Sequence, residues 1–226
     1  MLSFLRAGLG IGVLIGHPYF EPIYFYVEHA DRLVSYLIIL GLTTKLRTLH
    51  DQEKESARFD NLTGVLNQKG FYEALAIEMK RHRREQAALS FAYIDCDNFK
   101  LVNDLFGHKE GDRLLAQVAQ IMRSTLRETD VLARLGGDEF AVLLVKSDPD
   151  QAVSTIEKLR KNLDAYMALH EWPVTFSIGL GIFPVVPNVD DEIVSFSDQL
   201  MYQVKSSGKN GVLTEIFEPL STIKLL

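Results

Sequence analysis

Four acidic side chains stand where apolar segments of the chain end. Asp95 and Asp97 come at the end of the run FAYIDCD, and Asp138 and Glu139 follow the pair Gly136-Gly137. If the two segments are neighbours in a sheet, Asp95, Asp138 and Glu139 lie close together and raise each other's pKa unless a cation is present. Such oxygen ligands suit Mg²⁺, which commonly binds one or two carboxylates and completes its shell with substrate phosphates. The acids therefore predict a magnesium site for phosphoryl or nucleotidyl transfer.

Groups that could bind phosphate stand near these acids. The turn CDNFK lies beside Asp95, and backbone N–H groups at the start of a helix favour anions. Lys205 and Lys209 flank a glycine turn at the end of a predicted helix. Structural roles compete with this interpretation, because Asp97 or Asn98 would cap the helix that follows and Lys205 complements a helix dipole. Neither role suits Asp95, which we expect to be half-buried at the end of its strand.

The acids require a hairpin and a strand to hold them. The segment LARLGGDEFAVLL contains two short apolar runs, and the glycine pair between them is a strong turn signal. Strands are also predicted in ALSFAYID, VTFSIGLGIF and GVLTEIF. Helices are predicted between them, the first capped by Asn67, in QKGFYEALAIEMKRHRRE, NFKLVNDLFG, DRLLAQVAQIMRSTL, DQAVSTIEKLRKNLDAYMALH and DEIVSFSDQLMYQVKSSG. This alternation predicts an α/β (α+β) domain whose mixed central sheet is flanked by helices.

The first part of the chain has a different composition. Residues 1–42 form an apolar segment in which the runs FLRAGLGIGVLIG and LVSYLIILGLTT begin, each shorter than the roughly 20 residues of a membrane-spanning helix. Membrane association and the packing of two short helices on each other or on a partner are both open. If the segment is attached to a membrane, the positive charges that follow the second run place the rest of the chain on the cytoplasmic side. We expect a helical connector at 43–56, the main domain at 57–217 and a tail at 218–226.

Composition and charge narrow the class of function. Of the 226 residues, 47% are hydrophobic and 24% are charged, as in a folded globular protein. The net charge of -6 argues against binding a nucleic-acid polymer but not against a local nucleotide site. Cys96 is the only cysteine, which excludes an internal disulfide and a cysteine-based zinc cluster. A cytoplasmic catalytic domain, at the inner face of a membrane if the first segment is attached there, is the simplest interpretation.

Five separated motifs occur together in the chain: DNLTGVLNQKGF, IDCDNFKLVNDLFGHKEGD, RETDVLARLGGDEF, VTFSIGLGIF and MYQVKSSGKN. Their order and spacing resemble the GGDEF family, the diguanylate cyclases, over about residues 57–217. The resemblance implies a palm-like nucleotidyl cyclase (GGDEF) fold. It also implies a homodimer in which each subunit presents one GTP, and the two GTP molecules become cyclic di-GMP and pyrophosphate. The implied cofactor is Mg²⁺, two ions per active site, with Mn²⁺ as an alternative.

The resemblance assigns roles to individual residues. Asp95, the backbone carbonyl of Cys96, and Asp138 resemble metal ligands. Glu139 resembles the residue that accepts the 3′-hydroxyl proton or holds the second metal, and Lys205 is the other implied catalytic residue. The implied guanine-binding residues are Asn103 and Asp112, with His108 beside them. The implied phosphate-binding groups are the backbone amides of Asn98 and Phe99 and the side chains of Lys205 and Lys209. Gly136 and Gly137 are implied to lie near the α-phosphate.

The RETD motif implies a second site. Arg127 and Asp130 stand shortly before the glycine pair, where many family members bind cyclic di-GMP as an inhibitor. A salt bridge at a helix end is the structural alternative. The chain departs from the family at Gln68 and Lys69, where two arginines are usual, and at Lys209, which replaces a common arginine. These changes affect neither the carboxylate ligands nor the guanine readers, so we expect activity.

Three rival interpretations stay open. A silent GGDEF domain could act as a receptor for cyclic di-GMP or GTP, although such members usually lose acids that are present here. An enzyme with ATP in one or both half-sites is the second rival, and Asn103 and Asp112 argue against it. The third is a membrane-tethered scaffold in which residues 1–50 carry the function.

Overall fold

The computed structural model describes residues 21–56 and 58–218. Backbone contacts divide the chain into two compact units, Met1–Ser56 and Ala57–Leu226. In the first unit, α1 (Glu21–Ser56) is one continuous helix of 36 residues that contains the second apolar run and the segment expected as a connector. The first apolar run lies outside the described residues. None of the helices in the described ranges combines the length and the apolar character needed to cross a membrane.

The second unit contains the predicted alternation of helices and strands. In chain order its elements are α2 (Gln68–Glu85), β1 (Leu89–Asp97), α3 (Phe99–Phe106), α4 (His108–Thr125), β2 (Val131–Gly136), β3 (Glu139–Leu144), α5 (Pro149–Leu169), β4 (Thr175–Phe183), α6 (Asp190–Ser206) and β5 (Gly211–Ile216). The strands form a sheet of order β2-β3-β1-β4-β5. β1 is antiparallel to both of its neighbours, whereas β4 and β5 are parallel. The predicted mixed α+β fold is confirmed.

Helices cover both faces of the sheet. Side chains alternate between the two faces along a strand, so β1 contributes to two separate apolar cores. Ala92 and Ile94 lie in the core formed with α4 and α5. Phe91 and Tyr93 lie in the core formed with α2 and α6. By the same alternation, the side chain of Asp95 belongs to the face that α6 covers.

Two local features set the positions of these covering helices. The Asn67 side chain accepts a hydrogen bond of 2.9 Å from the Gly70 N–H, so the predicted N-cap of α2 is confirmed. A Cβ atom at Gly179 of β4 would collide with the Ser197 carbonyl and the Met201 amide of α6. The glycine therefore lets the backbone of α6 approach the sheet closely.

Arg134 ties the β2–β3 hairpin to the segment that precedes α2. Its Nη1 lies 3.1 Å from Asp60 Oδ1, and its Nε and Nη2 donate to the Gly137 carbonyl at 2.9 and 2.7 Å. Asp60 also accepts hydrogen bonds from the backbone and the hydroxyl of Thr63. Burial alone would raise the pKa of Asp60, but the Thr63 and Arg134 interactions outweigh it and lower that pKa. The charged form of Asp60 therefore stabilises the fold around the hairpin.

We expect Asp60→Asn to lower the free energy of unfolding at pH 7 by about 1–3 kcal/mol, because Arg134 loses its charged partner. The folded-state pKa of Asp60 lies below the unfolded value, so its contribution is complete above the unfolded pKa of about 4 and is lost as the pH falls through the folded pKa. Urea denaturation between pH 3 and 7 measures the difference, which should shrink below about pH 4.

Glu73→Gln is the matched control, since Glu73 pairs with Arg58 at 2.8 Å and both side chains are about half exposed. An exposed ion pair of this kind contributes less than about 1 kcal/mol. A loss in Asp60→Asn that stays the same at every pH would contradict the role of the charge.

Candidate active site

Asp95 is a buried carboxylate at the end of the central strand. It pairs in register with Glu139 of β3 on one side and with Ser177 of β4 on the other. The residue is only 3% exposed, which is more buried than expected. Lys205 at the end of α6 places its Nζ 2.6 Å from Asp95 Oδ2. Burial raises the pKa of Asp95 to about 6, because it outweighs the Lys205 hydrogen bond and is reinforced by the charge of Asp138.

The hairpin brings two further acids to the same edge of the sheet. The turn passes through Gly137, whose φ of +48° lies in the left-handed region, and β3 begins at Glu139. The Cys96 N–H donates to the Asp138 carbonyl at 3.1 Å. Since the N–H and C=O of a strand residue point to the same side, the Cys96 carbonyl also faces the hairpin. Its thiol lies in the core on the opposite face, where burial raises the thiol pKa well above its usual value.

These donors can be compared with what a divalent cation requires. Within residues 21–56 and 58–218, no three His, Cys, Asp or Glu side chains form a ready-made group of metal ligands. The donor set is instead Asp95, Asp138 and a backbone carbonyl, all hard oxygen atoms, and the Lys205 ammonium already offsets the negative charge. Mg²⁺ typically takes one or two carboxylates and leaves positions for phosphate and water. The residues present therefore fit Mg²⁺ held together with a phosphorylated ligand.

An open cleft of about 530 Å³ lies beside these acids. It unites most of the predicted metal-binding and phosphate-binding residues with several that the motif reasoning did not assign. Its lining residues are Asp95, Cys96, Asp97, Asn98, Phe99, Lys100, Leu101, Asp104, Asp138, Lys205 and Lys209. The cleft has the charge pattern of a site for a metal-bound phosphate, because carboxylates and lysines line it together.

Asn98 and Lys209 meet across this cleft. The Lys209 Nζ donates to Asn98 Oδ1 at 2.8 Å. Asn98 stands at the N-cap position of α3 with φ of +62°, and its side chain makes no capping hydrogen bond. The first residues of α3, Phe99, Lys100 and Leu101, line the cleft, and N–H groups at the start of a helix favour an anion.

Asp97 does not cap α3, so the structural role predicted for it is wrong. Its carboxylate is buried and accepts hydrogen bonds from Thr175 Oγ1 at 2.9 Å and from Ser177 Oγ at 2.9 Å. The backbone N–H of Asn210 donates to it as well, at 3.2 Å. Asp97 thus fixes the turn that carries Lys209 relative to the ends of β1 and β4.

The predicted guanine readers lie on the neighbouring helix pair, α3 and α4, and do not line the cleft. Asn103 belongs to α3, whereas His108 and Asp112 belong to the first turns of α4 and are exposed. A Cβ atom at Gly111 would collide with Asn103 Oδ1, so the lack of a side chain at this position leaves the space that the Asn103 amide occupies. Sequence reasoning missed Gly111, although a glycine inside a predicted helix is a usable signal.

The remaining predicted residues lie on the hairpin and the segment before it. Gly136 and Gly137 are exposed, and Glu139 is partly buried. The Tyr93 hydroxyl donates to Glu139 Oε2 at 3.1 Å. Burial, together with the Glu139 carboxylate, raises the pKa of Tyr93 above its usual range, so the hydroxyl keeps its proton. The motif reasoning did not identify Tyr93.

Arg127 and Asp130 form a tight turn before β2. Asp130 Oδ2 accepts from the Arg127 backbone N–H at 3.0 Å, and Asp130 Oδ1 accepts from the Val145 N–H at 3.2 Å. The carboxylate therefore shapes the turn, and the Arg127 side chain is exposed.

The fold agrees with the comparisons to known proteins. The family model described as "Diguanylate cyclase, GGDEF domain" matches residues 57–211. The chain belongs to the GGDEF family. Among similar curated proteins, the uncharacterized protein YhcK of Bacillus subtilis is 34% identical over 201 residues, which cover 87% of this chain and 56% of YhcK. The diguanylate cyclase DgcM of Escherichia coli K12 is 33% identical over 196 residues, or 86% of this chain and 46% of DgcM.

A solved GGDEF structure gives the same result at the level of the fold. The diguanylate cyclase SiaD of Pseudomonas aeruginosa, crystallised with its activator SiaC, has a TM-score of 0.64 and 27% identity. The match covers 94% of this chain and 83% of SiaD. The chain spans about half the length of the curated relatives DgcM and YhcK.

Asp97→Ala should lower the free energy of unfolding by about 1–3 kcal/mol, because it leaves two hydroxyls and the Asn210 N–H without their acceptor. Asp97→Asn keeps one acceptor oxygen and should lose clearly less. Urea denaturation of both variants measures the effect. The control is Asp104→Ala, an exposed acid on the same cleft, for which we expect a change within about 0.5 kcal/mol. Equal losses in the Asn and Ala variants would contradict the hydrogen-bonding role.

Proposed function

We propose that this GGDEF domain condenses two GTP molecules into cyclic di-GMP with release of pyrophosphate, as a homodimer that uses Mg²⁺ or Mn²⁺. The proposal depends above all on one observation. Asp95, Asp138 and the Cys96 carbonyl meet Lys205 and Lys209 at a single cleft. Acids and lysines that line one cleft suit a metal-bound triphosphate, because the acids can hold the metal and the lysines can bind phosphate oxygens.

Some residues of the cleft would bind the metal, and others bind the phosphates. Asp95, Asp138 and the Cys96 carbonyl would hold the metal, which supplies neutralisation of the phosphate charge and activation of the attacking hydroxyl. Lys205 and Lys209 bind phosphate oxygens together with the first N–H groups of α3. Because Lys205 pairs with Asp95 in the free site, the arriving triphosphate exchanges one anionic partner of this lysine for another.

Glu139 acts on the nucleophile. The 3′-oxygen of one GTP attacks the α-phosphorus of the other, and the bond to pyrophosphate breaks. The hydroxyl proton passes to the Glu139 carboxylate, which lies opposite Asp95 in the β1–β3 register. Two such bonds close the ring of cyclic di-GMP, so two cleft-bound nucleotides must face each other.

Base selection depends on Asn103 and Asp112. A carboxylate can accept from the two N–H donors on the edge of guanine, and adenine would leave it unpaired. This unpaired polar group is a physical reason to prefer GTP to ATP. Gly111 supports the selection because it leaves room for the Asn103 amide against α4.

The proposed partner is a second copy of this chain. On α1, Leu33, Leu37 and Leu40 recur at helical spacing and are 62%, 58% and 60% exposed. Val34, Ile38 and Ile39 between them are exposed as well, and exposed apolar surface of this kind is typical of an interaction surface. Self-association through α1 would supply the second GTP-loaded domain. We place the catalytic unit in the cytoplasm, where GTP is available.

Incubation of the purified full chain with GTP and Mg²⁺ should yield cyclic di-GMP, identified by mass. Glu139→Gln removes the proton acceptor at nearly constant size and should lower kcat at least about 100-fold. The matched control, Glu157→Gln on the surface of α5, should retain the wild-type rate. A folded wild-type chain that binds GTP without forming product would contradict the proposal and favour the receptor interpretation.

We also propose that cyclic di-GMP inhibits the enzyme at Arg127 and Asp130. The support is the tight turn, in which Asp130 binds backbone N–H groups and leaves the Arg127 guanidinium exposed for a planar, anionic ligand. Arg127→Ala should raise the cyclic di-GMP concentration for half-maximal inhibition at least about tenfold. Arg84→Ala, another highly exposed arginine, is the control. Unchanged inhibition in Arg127→Ala would exclude this site.

A further inference from the structure

We propose that Tyr93 is a positioning residue whose hydroxyl holds the Glu139 carboxylate in the orientation that the reaction uses. The inference rests on the proposed function for the role of Glu139, and on the geometry of β1 and β3 for the contact. Tyr93 stands two residues before Asp95 on the same face of β1. It has no place in the motifs that define the metal or substrate site.

The tyrosine ring is fixed by its surroundings. Tyr93 is 9% exposed and belongs to the apolar core between the sheet, α2 and α6. Its ring meets the Phe91 ring edge-on at a centroid distance of 6.4 Å, and Phe91 in turn packs on Phe71 at 5.3 Å. A ring packed in this way presents its hydroxyl from a constant position.

Glu139 is the acid that gains most from such a fixed donor. It lies at the first position of β3, next to the turn, and its side chain has one more rotatable bond than an aspartate. Holding a long side chain in one conformation costs conformational entropy. The Tyr93 hydroxyl, 3.1 Å from Glu139 Oε2, selects one conformation before substrate arrives.

The hydrogen bond leaves Glu139 able to react. An ionised carboxylate has about four acceptor positions on its two oxygens, so Oε2 can accept from Tyr93 while Oε1 receives a proton. Loss of the donor should therefore affect the chemical step more than the binding of GTP, whose phosphates and base contact other residues. A displacement of about 1 Å at a reacting group can lower the rate roughly 100-fold.

Tyr93→Phe tests the role, because it removes only the hydroxyl and keeps the ring in the core. Tyr166→Phe is the matched control: its hydroxyl donates to Gln117 Oε1 at 3.0 Å between α5 and α4, away from the cleft. With the full chain, Tyr93→Phe should lower kcat roughly tenfold while the KM for GTP stays within about twofold. Tyr166→Phe should leave both parameters at the wild-type values.

A second measurement needs no turnover. In full-length protein labelled with ¹³C at the glutamate carboxyl carbons, the Glu139 resonance is identified by its absence in Glu139→Gln. It should shift in Tyr93→Phe, which loses the hydrogen bond, and stay in place in Tyr166→Phe. An unshifted resonance in Tyr93→Phe would overturn the proposal.

The two measurements separate the inference from the proposed function. If the wild-type chain makes cyclic di-GMP and Tyr93→Phe matches its kcat, the positioning role is wrong and the cyclase remains. If the KM of Tyr93→Phe rises by the same factor by which its kcat/KM falls, the positioning role is also overturned, because Tyr93 would then act on GTP binding. If the wild-type chain makes no product, the proposed function fails, and the resonance alone decides whether Tyr93 orients Glu139.

Discussion

The burial of Asp95 is the constraint around which the site is organised. A carboxylate removed from water loses solvation free energy unless a charge or hydrogen-bond donors compensate, and here the compensating charge is Lys205 at 2.6 Å. Lys205 reaches Asp95 only because α6 lies close to the sheet, and Gly179 makes that approach possible. One small residue in β4 thus permits the ion pair at the end of β1. The same pair leaves a cationic group where phosphate is expected.

Two further polar residues fix the hairpin and the turn that carries Lys209 relative to this centre. Arg134 links the hairpin turn to Asp60 and so limits where Asp138 can move. Asp97 accepts hydrogen bonds from β4 and from the turn that carries Lys209. Both are partly or fully buried and bound by several hydrogen bonds, so each replaces solvent with fixed partners. The proposed metal-binding acids and the proposed phosphate-binding lysines are therefore placed by a common polar framework rather than by the apolar cores alone.

The sequence predicted the elements better than the contacts between them. The strands, the hairpin and the Asn67 cap depend on residues within a few positions of one another, which periodicity and turn signals detect. The partners of Asp97 lie 78 and 80 positions away, and Tyr93 and Glu139 are 46 apart. Such pairs follow from the strand order, which local patterns do not contain. For that reason local patterns leave capping open to Asp97 as well as Asn98, and they predict less burial for Asp95 than the structure shows.

The orientation of Cys96 has a practical consequence. Its backbone faces the hairpin, whereas its thiol is sealed in the opposite core with a raised pKa. A thiol that is buried and protonated reacts slowly with alkylating reagents. Because the chain has no other cysteine, the wild-type protein offers an almost silent background for thiol labelling. A single cysteine introduced on α1 or on α4 could carry a spin label or a fluorophore, and distances between two chains could be measured without removing any native residue.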